Sequence, residues 1–224
     1  MLLLSMAMIG AGCASNAGTP AAGGPTGSAS APPKITVAGD SISIGFGAAL
    51  RPVVGSGYDV KVIGEEGTGL ARPDRFDWPA RLQKLAKEFP PATLVFSVGS
   101  NDAQDLTDAG GKVVVPFTDT ANWDAEYSRR LAASFDAFAG SSTTVVWIGH
   151  ARTREDRVGL VNRRIHALAT AVAATRPFVR VADLADLLHL GEDRADRCLM
   201  PDGLHLTSAC LTEAATAFRP QLSP

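Results

Sequence analysis

KITVAGDS, residues 34–41, decides the architecture. Ile35, Val37 and Ala38 make a short apolar strand that stops at Gly39. From Ser41 to about Val54, Ile44, Ala48, Ala49 and Leu50 follow at helical spacing, so a helix opening on a serine is predicted there. Short strands alternating with helices in this way give a parallel sheet covered on both faces.

The rest of the chain continues that alternation. YDVKVIG (58–64) is a second strand, and GTGLARPDRFD (67–77) is a loop. WPARLQKLAKEF (78–89) is an amphipathic helix with Pro79 near its first turn. TLVFSVG (93–99) is a third strand, and its nearly continuous apolarity predicts burial on both faces. Residues 100–121 are a long loop in which Val113, Val114 and Val115 are a candidate edge strand. A helix follows over 123–140, closed by Gly140, then a strand over 143–149 and a helix over 155–175. PFVRVADL (177–184) holds the fifth strand, and the last helix runs from Thr207 to about Phe218. The expected fold class is α/β, a three-layer α/β/α sandwich with a five-stranded, mainly parallel sheet. In such sheets the site lies beyond the carboxyl ends of the strands. Three ends carry polar residues: Gly39-Asp40-Ser41, Gly99-Ser100-Asn101-Asp102 and Gly149-His150.

The formal net charge of -2, with Lys and Arg scattered singly or in pairs, argues against nucleic acid as a partner. The first 33 residues carry no Lys, Arg, Asp or Glu. Residues 1–13, MLLLSMAMIGAGC, resemble a targeting signal too short to span a bilayer. Cys13 closes it as a lipid-acceptor cysteine would, although Gly10 stands where lipoprotein signals usually have Leu. Cleavage with secretion, or a buried apolar end, are the alternatives. Residues 14–33, almost wholly Ala, Gly, Ser, Thr and Pro, are expected to be a disordered tether to a single domain over 34–224. An exported domain permits a disulfide between Cys198 and Cys210, which flank Asp202 and His205. Two independent apolar cysteines are the plainer reading.

The chemistry concentrates at few residues. Ser41 at a helix start is either a cap or a nucleophile whose developing alkoxide faces helix amides. Asp202-Gly203-Leu204-His205 sets a carboxylate three residues from one of only four histidines, a spacing that suits a base and its orienting partner. No His-x-x-x-His or Cys-x-x-Cys spacing points to a metal. Asn101 either turns the chain or donates to an oxyanion. Gly67 and Gly69 either relieve turn strain or present free backbone N–H groups.

Taken together, GDS at 39–41, the Gly loop at 67–69, GSND at 99–102 and DGLH at 202–205 resemble, in order, the four blocks of the SGNH (GDSL) hydrolases. GTGLARPDRFDWP with Trp123, Tyr127 and Arg130 is further similar to a bacterial, envelope-associated subgroup, from which Cys210 departs, since Gly is usual there. The resemblance implies a flavodoxin-like sandwich and a triad of Ser41, Asp202 and His205. It implies an oxyanion hole of Ser41 N–H, Gly69 N–H (Gly67 being the alternative) and Asn101. Asp40 and Asp102 then hold loops, and no cofactor or metal is needed.

The implied reaction is hydrolysis of esters through an acyl-serine. The absence of a long apolar insertion, with Asp74, Asp77, Trp78 and Trp123 near the site, favours a small acyl group on an envelope carbohydrate, O-acetyl above all. These four are candidate substrate contacts, although a Trp is more often a packing residue. The domain is expected to be monomeric, with the membrane reached through the lipid anchor. The alternatives are an envelope glycan O-acyltransferase, with the same triad, and a non-catalytic glycan-binding protein.

Overall fold

A computed structural model describes residues 31–150, 153–154, 156–190 and 197–222. The signal-like segment, Cys13 and all but the end of the tether lie outside the described residues. One compact unit spans Pro32–Pro224. Its chain order is β1 (Lys34–Gly39), α1 (Ser41–Val54), β2 (Asp59–Gly64), α2 (Trp78–Glu88), β3 (Thr93–Ser97), β4 (Leu106–Thr107) and β5 (Val113–Val115). Then come α3 (Thr120–Asp136), β6 (Thr144–Gly149), α4 (Asp156–Ala173), β7 (Val179–Asp183), α5 (Leu184–Leu187) and α6 (Ser208–Phe218).

The main sheet has the order β2-β1-β3-β6-β7, and every pairing in it is parallel. The valine run pairs as β5 with β4 in a separate two-stranded antiparallel sheet, not at the edge of the main one. Alternate side chains of the main strands feed two cores. Ile35, Val37, Val95, Val146 and Ile148 face one core with Phe46 and Leu50 of α1 and Phe218 of α6. Ala38, Leu94, Phe96, Val145 and Trp147 face the other with Leu82 of α2, Tyr127 and Phe135 of α3 and Ile165 of α4. This period of two, with both faces covered, explains the continuous apolarity of the strands.

Side-chain capping sets the helix starts. Asp40 caps α1 through Ile42 N–H, and Asp77 caps α2 through Ala80 N–H. Asp119 caps α3, so that helix begins at Thr120 rather than at Trp123. It also ends at Asp136, before Gly140. Beyond it the N–H groups of Phe138, Ala139 and Ser141 bond three residues back, a tighter winding than the α-helix.

The order 2-1-3 in the sheet sends the connections after β1 and β3 to opposite faces, opening a crevice between their carboxyl ends. Ser41 stands at one lip and Asn101 near the other. The segment before α6 folds toward them. Leu199 and Leu206 form an antiparallel bridge, flanked by Met200 N–H to His205 O at 2.8 Å and Thr207 N–H to Cys198 O at 2.8 Å. A disulfide joins Cys198 to Cys210 in the first turn of α6, their Cα atoms 5.5 Å apart.

Closing so short a loop is expected to stabilise the domain by about 2–3 kcal/mol. The double change Cys198→Ala/Cys210→Ala should therefore lower Tm by roughly 4–12 °C relative to oxidised wild type. Alkylation of both cysteines in protein folded under oxidising conditions, seen by intact mass, would contradict the bond.

Candidate active site

The turn from β1 into α1 follows from close packing of β1 on β3. Gly39 has φ +138°, and a Cβ there would overlap the Ser97 carbonyl oxygen. Ser43 Oγ donates to that same oxygen at 2.7 Å, pinning the first turn of α1 to β3. Asp40 is fully buried, and its Oδ1 accepts from Ile42 N–H at 3.0 Å. Burial pushes its carboxyl up to about 7, against the lowering pull of the Ile42 and Ser43 amides, of His205 and of Asn101. Ser41 is the first residue of α1, and among the described residues its N–H has no acceptor.

Ser41, His205 and Asp202 come together in one chain of hydrogen bonds. Ser41 Oγ lies 2.8 Å from His205 Nε2, and His205 Nδ1 lies 2.8 Å from Asp202 Oδ2. The other carboxylate oxygen, Asp202 Oδ1, accepts from the N–H groups of Leu204 at 2.9 Å and His205 at 3.0 Å. These amides, with the imidazole, hold Asp202 down at about 2. An ionised Asp202 accepts only, so His205 Nδ1 carries a proton and Nε2 is free to accept from Ser41 Oγ. The side chains of His205 and Asp202 are 36% and 47% exposed, so the pair faces solvent.

Asn101 is oriented from two sides. Its Nδ2 donates to Thr68 O at 2.9 Å and, over a longer 3.4 Å, to Asp40 Oδ2. Thr68 thereby ties the Gly loop to the end of β3. Gly67 and Gly69 each need to be glycine, for different reasons. Gly67 has φ +69°, whereas a Cβ on Gly69 would overlap the Asp102 carboxylate. Among the described residues neither glycine N–H has an acceptor.

Of the four residues expected to touch substrate, the two tryptophans turn out differently. Trp78 and Trp123 are fully buried. Trp78 Nε1–H donates to Thr68 Oγ1 at 3.0 Å. Trp123 Nε1–H donates to Gln104 O at 3.0 Å, and its ring stacks on Tyr127. An indole in the core must find an acceptor for its N–H, and here the loops supply it. Both rings therefore brace loops, and neither offers surface to a ligand. Asp74 is tied to Arg72 and Thr107, and the guanidinium holds its carboxyl well below the usual range. Asp77, besides capping α2, lines a cleft of about 670 Å³ with Gly69, Leu70 and Phe76.

The rest of the motif is internal. Asp102 is fully buried and accepts from Leu70 N–H at 3.1 Å, Ala71 N–H at 2.8 Å and Tyr127 OH at 2.6 Å. Burial raises it to about 6, with those three bonds pulling the other way. Arg130 donates to the carbonyls of Leu70, Ala71 and Thr107. His150, noticed only as a strand end, lies buried with Nε2 3.7 Å from Asp40 Oδ2. Its polar type at the end of an apolar strand was the available signal.

The family described as "Protein of unknown function (DUF459)" matches residues 34–210. No curated protein matches by sequence. Among solved structures, a Slackia heliotrinireducens protein provisionally assigned to the SGNH hydrolases is 18% identical, with a TM-score of 0.62 over 86% of this chain and 100% of that one. A member of the lipolytic G-D-S-L family from Veillonella parvula is 16% identical, with a TM-score of 0.60 over 84% and 97%. An acetylxylan esterase from Geobacillus stearothermophilus, in a catalytic-mutant form, is 14% identical, with a TM-score of 0.58 over 84% and 93%. The fold is thus that of the SGNH hydrolases: a five-stranded parallel sheet between helices.

Asp202→Asn leaves an acceptor for the Leu204 and His205 amides but can present an N–H to His205 Nδ1, favouring the wrong tautomer. Fluorophosphonate labelling of Ser41 is expected to slow by about 10³–10⁴-fold with the fold retained. Labelling at the wild-type rate would show that Asp202 does not orient His205.

Proposed function

Because this chain belongs to the DUF459 family and has the SGNH hydrolase fold, we propose that it is a serine esterase that removes small acyl groups from carbohydrate. One observation carries the proposal: the unbroken chain from Ser41 Oγ through His205 to Asp202, already at 2.8 Å in both links. A merely capping serine needs no imidazole at hydrogen-bond distance.

In the first step His205 Nε2 takes the Ser41 proton as Oγ attacks the ester carbonyl. The oxyanion accepts from Ser41 N–H, from Asn101 Nδ2–H and from Gly69 N–H. Collapse breaks the bond to the alcohol, which leaves with the proton from His205. A water then gives a proton to His205 and attacks the acyl-serine. When that second intermediate breaks down, the acid is released and Ser41 Oγ recovers its proton from His205. Asp202, ionised across the working range, stabilises the imidazolium in both steps.

An O-acetyl group on a cell-envelope glycan is the substrate that best fits. An acetylxylan esterase shares the fold, and the exposed His205 and Asp202 suit a bulky polymer with a small acyl group. The envelope address rests on the uncharged apolar residues 1–13, with Cys13 as lipid acceptor, and on the tether of residues 14–33. In this proposal the domain is exported and works as a monomer, anchored by lipid or else secreted.

Ser41→Ala should abolish turnover of acetyl esters while leaving thermal unfolding close to wild type, and mass spectrometry should find a fluorophosphonate adduct on Ser41. Near-wild-type turnover by that variant would overturn the assignment. Asn101→Ala is expected to lower kcat by about 10²–10³-fold. A raised KM with unchanged kcat would instead make Asn101 a substrate-binding residue.

A further inference from the structure

Behind the nucleophile turn lies a buried polar chain that the triad does not use. Asn162 Nδ2 of α4 donates to Ser100 Oγ at 3.2 Å. Ser100 presents both its Oγ, at 2.5 Å, and its backbone N–H, at 3.2 Å, to His150 Nδ1. A backbone N–H can only donate, so Nδ1 is an acceptor, and the proton of the neutral ring sits on Nε2. Burial keeps the ring neutral, pushing His150 down to about 4. Among the described residues Nε2 has no hydrogen-bond partner, although it has less than 1 Å² of exposed surface. A buried N–H left without an acceptor is costly, and it calls for an explanation. The carboxyl of Asp40 faces it, with Oδ2 3.7 Å away, just beyond hydrogen-bond reach. That oxygen is shared by the long 3.4 Å bond from Asn101.

We propose that His150 is a positioning residue of the esterase site, held in reserve to replace Asn101 on Asp40 when Asn101 turns to the oxyanion. In the resting site Asn101 supplies a donor to Asp40 Oδ2. When the substrate oxygen becomes negative, it competes for that N–H, and Asp40 loses its donor in a dry pocket. A movement of a few tenths of an ångström brings His150 Nε2–H onto Asp40 Oδ2. Asp40 then keeps its cap on Ile42 N–H, and the free N–H of Ser41 keeps its aim. Asp40 connects both lips of the oxyanion hole, α1 on one side and Asn101 on the other, so the exchange couples them. The bond forms only as charge develops, so it acts on kcat and not on KM.

The inference rests on the esterase proposal, and two measurements separate their failures. In His150→Leu, which removes the donor at similar bulk, kcat for an acetyl ester should fall about 10–100-fold with KM unchanged. His150→Gln, which keeps an N–H donor, should recover most of the loss. Wild-type kcat in the Leu variant, or a loss confined to KM, overturns the proposal. The second measurement uses unaltered protein and so does not depend on either variant folding. Nitrogen-15 NMR of His150 should show the proton on Nε2 in free protein, and that proton should move downfield once Ser41 carries a phosphonyl group. A proton on Nδ1, or a signal unchanged by the adduct, likewise overturns it. Wild-type protein that neither turns over esters nor takes the label would instead sink the esterase proposal itself.

Discussion

A carboxylate with no exposed surface, Asp102, is the junction on which the loops around the site converge. Buried carboxyl groups are tolerated only when their oxygens are satisfied. Asp102 meets that condition with two amides of the loop after β2 and the phenol of Tyr127 on α3. Its size and position in turn exclude a side chain at Gly69. Arg130 completes the junction by donating to carbonyls of the same loop and of Thr107. Asn101, the neighbour of Asp102, is therefore held at the crevice by a largely buried framework.

Three aspartates near the site occupy different environments and do different work. Asp202 is exposed and bonded to two amides, so it stays ionised. Asp40 and Asp102 are buried, and burial raises both. The consequences for stability have opposite signs. A lowered carboxyl stabilises the fold above its unfolded value near 4, and that contribution is lost as pH falls toward about 2. Raised carboxyls contribute most below about 4, and that contribution is lost as pH rises through about 6 for Asp102 and about 7 for Asp40. His150, lowered to about 4, opposes them: its contribution is present above about 6.5 and fades as pH falls. Burial thus tunes Asp40 and Asp102 toward neutrality, whereas hydrogen bonds tune the exposed Asp202 toward charge.

His205 sits on a connection rather than on a strand or helix, and loops hold side chains loosely unless braced. The Leu199–Leu206 bridge, the Met200–His205 hydrogen bond and the Cys198–Cys210 disulfide supply the bracing. Gly203 and Asp202 close the tip, where the Asp202 carboxylate accepts from the backbone N–H groups of Leu204 and His205.

The alternation of short apolar strands with amphipathic segments was legible in the sequence because side-chain period is a local property. The polar residues at strand ends were legible for the same reason, and so were Ser41, Asn101, Asp202 and His205 as candidates. Helix ends were less so: Asp119 outcompeted Trp123 as the start of α3, and tighter turns ended that helix before Gly140. Only the tertiary structure decided which way the polar and aromatic residues face. Trp78 and Trp123 look like ligand-binding residues in a loop-rich stretch, yet their rings complete a core built from strands distant in sequence. The valine run pairs with Leu106 and Thr107 instead of extending the main sheet, because its partner lies in the same excursion. His150 meets Asp40 only because β6 and β1 flank β3 in one parallel sheet. Such contacts depend on strand order and on what covers each face, and neither quantity is written in the local periodicity of a chain.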